Sequence, residues 1–179
     1  MQTVTRRGVI LVVLLTLGLA ACSSSTSKSD PKTTAAGTTS VSWSDGKSTK
    51  SPAFAGIGTS TTHATLVLAS FKPSNDAILL NPVNSDFKAN DWLFSTTLKI
   101  ANGTLATGTY SGEMVTRPYL YFYDSSRNQT YSQSLGATTD AAVTFTSVTD
   151  KEAKGTLKLT DSSAGASLTT SFTATIRKI

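Results

Sequence analysis

The chain has 179 residues, a net charge of +5 with its one histidine neutral, and only 15% charged residues. Serine and threonine fill 56 positions, and Cys22 is the single cysteine. These figures exclude an internal disulfide framework and a cysteine-built metal site, and the mild charge argues against a nucleic-acid partner. Thr, Val, Ile and aromatic residues favour strands, and no Glu-, Lys- and Arg-rich helical pattern is present, so the composition points to an all-β protein.

The chain opens MQTVTRRGVILVVLLTLGLAAC. Arg6 and Arg7 precede an uncharged run from Gly8 to Ala21. That run is shorter than the roughly 20 apolar residues needed to cross a hydrocarbon core of ~30 Å. A positive segment, a short apolar segment and small residues before a cut site describe a secretory signal peptide over residues 1–21. Leu19-Ala20-Ala21-Cys22 resembles the lipobox of bacterial lipoproteins. The resemblance implies cleavage between Ala21 and Cys22, a diacylglycerol on the Cys22 thiol, and a palmitate-type acyl chain on the new N-terminus. Membrane would then be the first partner, because several acyl chains hold where one does so only marginally. Ser23, rather than Asp, follows the cysteine. In a two-membrane bacterium this implies the outer membrane, and in a single-membrane host the plasma membrane. Loss of Arg6 and Arg7 with the leader would lower the net charge by two.

Residues 22–40 form the lipidated cysteine and a Ser/Thr-rich tether. From Ser23 to Ser40 the stretch lacks any large apolar residue, so it cannot bury enough surface to offset the entropy of ordering. As a flexible coil its reach is roughly 23 Å, from ~5–6 Å times the square root of its length.

One domain is expected over 41–179. "VSW" at 41–43 is a short first strand, and Ser44 to Thr62 reads as mostly loop. "ATLVLASF" at 64–71 is apolar on both faces, as in a central strand. A turn at 72–76 leads to "AILLN" at 77–81, and one helical turn is expected within 84–91. Asn102-Gly103 is the favoured pair of a type I′ turn, since both central residues take positive φ. A hairpin is therefore expected across 92–112, with Ala101 opposite Thr104 and Phe94, Leu98, Ile100 and Leu105 on one face. "PYLYFYD" at 118–124 and "TYSQSL" at 130–135 form a further pair. The runs 141–148, 153–161 and 167–179 alternate apolar and polar residues with period two, the mark of antiparallel sheet with one wet face.

Eight or nine such strands predict an antiparallel β-sandwich, with an up-and-down β-barrel as the alternative. Val143 to Ser147, Gly155 to Leu159 and Phe172 to Ile176 resemble a recurring pattern of small bacterial β-sandwich lipoproteins. That resemblance implies a fold and carries no activity.

Catalytic and metal chemistry finds little purchase. His63 has no local partner, Glu113 stands alone, and no Gly-x-Ser-x-Gly elbow exists. Asp86 and Asp91, with Asn84 and Asn90, offer oxygen ligands without the regular alternation of a calcium loop. No catalytic residue, metal or cofactor is expected. Tyr119, Tyr121 and Tyr123 alternate along one strand, so all three share a face if Leu120 and Phe122 turn to the core, with Tyr131 beside them. Tyrosine combines a large ring, a polar tip and little entropy to lose, which suits a binding surface. The expected function is a non-enzymatic, membrane-anchored envelope module that binds or supports another protein, peptidoglycan or a glycan. A hydrolase of envelope polymers is the alternative.

Overall fold

The computed structural model describes residues 38–43, 46–73, 78, 87–124, 129–134, 139–163 and 165–179. The leader, Cys22 and residues 23–37 of the tether lie outside the described residues, as does the 77–81 run apart from Ile78. Among the described residues there are eleven strands: β1 (Ser40–Trp43), β2 (Gly46–Ser48), β3 (Phe54–Thr59), β4 (His63–Ala69), β5 (Trp92–Lys99), β6 (Gly108–Ser111), β7 (Val115–Asp124), β8 (Gln129–Ser134), β9 (Thr139–Val148), β10 (Glu152–Asp161) and β11 (Ala166–Lys178). A short 3₁₀ turn, Gly112–Met114, joins β6 to β7.

The expected all-β character holds. The strand pairing, however, follows one hydrogen-bonded path, β6-β9-β10-β11-β3-β4-β5-β7-β8, with β1 on β11 and β2 on β1. It is a single sheet curled into a half-barrel rather than two separate sheets. The hub is β11. Along one side it pairs with β10 from Ala166 to Thr175. Its other side is shared between two partners, β1 opposite Ser167–Thr169 and β3 opposite Thr175–Lys178. The β11–β3 pair is parallel, a departure from the expected antiparallel order.

β2 and β3 fall inside the stretch expected to be loop. Gly56, Gly58 and Ala55 conceal the strand, because small residues give no hydrophobic alternation. Gly58 is small for a reason: a Cβ there would come within 2.8 Å of the Ile179 side chain.

Alternation places Leu66 and Leu68 (β4), Phe94 and Leu98 (β5), Val143 and Phe145 (β9), Leu157 and Leu159 (β10), and Leu168 and Phe172 (β11) in one buried core. Trp43 of β1 reaches that core and stacks on Phe122 of β7 at 4.4 Å. Gly46 in the facing strand leaves room for the indole, which any Cβ would overlap. The expected central position of β4 holds, since its opposite face carries Val67 and Ala69 in a second apolar cluster.

The Asn102-Gly103 turn forms as expected, with φ values of 54° and 67° and the Ala101–Thr104 pair in place. The hairpin stops there. Ile100 and Leu105 are both buried in the core, but β5 pairs with β4 and β7, and the returning chain joins β9 as β6. Of the expected helical turn, residues 87–91 are described. They make one turn closed by Asp91 N–H on the Lys88 carbonyl (2.9 Å).

Gly155 points inward on β10, between Phe145 of β9 and Phe172 of β11. These rings meet edge to face at 5.8 Å. A Cβ at Gly155 would fall on the Thr144 carbonyl oxygen and press on Phe172. Gly155→Ala is therefore expected to cost about 1–3 kcal/mol through overpacking, measured by urea unfolding. A cost below about 0.5 kcal/mol would mean that the bulge at Thr146 relaxes freely.

Candidate functional site

Three places hold the candidate residues. The first is the tyrosine strand. Opposite Ser95 and Thr97 of β5 stand Tyr119 and Thr116 of β7, so Arg117 and Pro118 face the single residue Thr96. This is a β-bulge, with Arg117 at φ 51° and a proline that has no N–H to offer the broken ladder. Thr96 and Thr116 secure it by donating side-chain hydrogen bonds to the Thr116 and Thr97 carbonyls (3.0 and 3.1 Å). The extra residue resets the alternation, so Val115, Leu120 and Phe122 all pack with the main core.

Tyr119 and Tyr121 turn to the other face and stack on one another at 4.5 Å. They are not a bare strip. Phe87 lies 6.3 Å from Tyr121, and Phe71 meets Phe87 at 5.0 Å. With Ile78 and Leu93 these rings form the second apolar cluster, and Tyr121 is only 8% exposed. Tyr123 is half-buried, and its backbone bonds Asp91 and Asn90. Tyr131 is registered opposite Phe122, with Ser132 opposite Tyr121; the Tyr131 side chain lies outside what the structure describes.

The second place is Asp91, almost wholly buried. Its carboxylate accepts from Lys50 Nζ (2.7 Å), Ser70 Oγ (3.1 Å) and Lys88 N–H (2.8 Å). Lys50 also donates its ammonium to the Ala89 carbonyl, and its own carbonyl accepts from the Trp92 indole. The protein thus supplies the cation for this acid from its own chain. Asn84 and Asp86 lie outside the described residues. Among the described residues no three His, Cys, Asp or Glu side chains gather as metal ligands.

His63 is exposed at the start of β4, with Nδ1 2.7 Å from Thr62 Oγ1. Glu113 is exposed in the 3₁₀ turn, with β5 lying between β4 and β7. Neither lines the clefts described next.

The third place was not visible in the sequence. Where β1 and β3 part from β11, the outer face opens into a cleft of about 450 Å³. Its walls include Pro52 and Phe54, and Lys154, Thr156, Ser171 and Thr173 line its floor. A smaller cleft of about 270 Å³ continues along β11 past Thr175 to Arg177, sharing Phe54 and Thr173 with the first. No carboxylate lines either one. Glu152 lies 3.3 Å from Lys154 in an exposed pair. Only the outward register of Thr173, Thr175 and Arg177 hinted at this surface. The fork itself depends on β3, which the sequence hid.

In comparisons with protein families, curated proteins and solved structures, the chain matches none.

Proposed function

We propose that the chain is a lipid-anchored envelope protein. Its β domain serves as a non-enzymatic binding module at the end of a short tether. The observation that carries this reading is Leu19-Ala20-Ala21-Cys22, placed directly after a basic segment and a fourteen-residue apolar run. Cys22 would be the lipid attachment point and the first residue of the mature chain, and Ser23 favours the outer membrane. The binding role draws support from a domain that keeps an open cleft on its outer face, lined by apolar and hydroxyl side chains together with Lys154. The curl of the sheet favours the barrel-like alternative over a sandwich.

Cys22→Ala is expected to abolish lipid labelling and to release the protein from the membrane fraction, or leave it as an uncleaved precursor. Fractionation with radiolabelled palmitate checks this. Normal cleavage and unchanged membrane association in that variant would end the lipoprotein reading.

A further inference from the structure

We propose that the cleft along β11 binds a carboxylated sugar unit of an envelope polysaccharide; this names the ligand of the binding module proposed above and rests on that reading. The two adjoining clefts form one elongated depression whose larger part has the size of an ordinary small-ligand site. Its chemistry is divided in the way a sugar ring is divided. Phe54 and Pro52 offer an apolar wall to the C–H face of a ring. Thr156, Ser171 and Thr173 bring hydroxyls, each able to donate and accept, toward ring hydroxyls.

The charge is one-sided. Lys154 stands opposite Thr173 on the neighbouring strand, and Arg177 lies four residues further along β11, about 13 Å away at the rise of a strand. With Lys154 where the two clefts meet and no lining carboxylate, the depression favours an anion. Charge-assisted hydrogen bonds from Lys or Arg to a carboxylate are the strong kind. Lys154 is paired with Glu152, the two side chains each half exposed, and such pairs are weak enough to yield to a ligand.

An added peptide strand fits less well. Between Thr169 and Thr175 β11 lacks a registered partner on this side, and within that gap Thr39 Oγ1 already meets Thr170 Oγ1 at 2.8 Å. The opening is short and hydroxyl-lined, without alternating apolar pockets.

The test uses the full chain in detergent and two soluble probes with the same backbone: oligogalacturonate and its methyl ester. Calorimetry is expected to show binding of the acid form, with the ester at least about tenfold weaker. Lys154→Glu and Thr173→Trp, one reversing the charge and one filling the floor, should each weaken binding about tenfold or more without moving the melting temperature. Lys158→Glu, on the same face of the same strand and outside the cleft, should leave binding within about twofold. No binding of the acid form by the unaltered chain overturns the proposal, as does equal binding of the ester. An equal loss in Lys158→Glu reduces the effect to general charge and overturns the site. None of these failures touches the anchor, which the Cys22 fractionation reads separately.

Discussion

Phe145→Ala is expected to lower the stability of the domain by about 3–5 kcal/mol, the ordinary cost of emptying a buried phenylalanine site. Phe145 is 2% exposed and central to a chain of rings, meeting Tyr110 at 5.5 Å and Phe172 at 5.8 Å, both edge to face. Such pairs contribute about 0.5–1.5 kcal/mol beyond the area they bury. The void would not close easily. Gly155 sits opposite Phe145 and has no side chain to move inward, and β9 is held by ladders to β6 and β10. Since a whole domain is stable by only about 5–15 kcal/mol, the variant should melt roughly 10–20 °C lower. Phe145→Leu should recover at least half of that. A fall of less than about 3 °C in Phe145→Ala would show that the ring chain does not organise the core.

The second large effect is expected at Asp91. Removing its carboxylate orphans the Lys88 N–H and the Ser70 hydroxyl, and releases Lys50 from the 88–91 turn. Each buried polar group left without a partner costs about 1–3 kcal/mol. Lys50 is 42% exposed on its side chain and can turn to water, so its share is small. Asp91→Ala should therefore cost about 2–4 kcal/mol, and Lys50→Ala distinctly less, read by urea denaturation. The asymmetry is the informative part. Were Lys50→Ala the costlier change, the carboxylate would not be the centre of the clasp. The turn it holds precedes Trp92 directly, so loosening should also raise amide exchange at Asn90 and Asp91.

Legibility followed the size of side chains. Strands β9, β10 and β11 were readable because Val143, Phe145, Leu157, Leu159, Leu168 and Phe172 alternate cleanly with threonines and lysines. The Asn102-Gly103 turn was readable from backbone chemistry alone. β3 was not, because Ala55, Gly56 and Gly58 give no hydrophobic alternation, and the need that keeps Gly58 small is set by Ile179, more than a hundred residues away. Its parallel pairing with β11 is equally non-local. The reach of the 92–112 hairpin was overestimated because a turn motif specifies only its own pair, while β7 competes for the edge of β5. Among the site residues, the shared face of Tyr119 and Tyr121 followed from alternation. Their roof did not, since Phe71 closes the strand expected at 64–71 and Phe87 falls in the expected helical turn, and neither reading sets a contact with β7. The partner of Asp91 was not legible, because its cation, Lys50, comes from a distant linker.

The position of β11 has a consequence in time. It holds β10 along one side and divides the other between β1 and β3, yet it is made after every other strand of the domain. Until those residues exist, the opening strands have no lasting partner on that side, and contacts so distant in sequence form slowly. A chain built this way stays pliable for as long as that strand is missing. It then locks when its final strand arrives, with Ile179 N–H on the Thr59 carbonyl as the closing bond (3.1 Å).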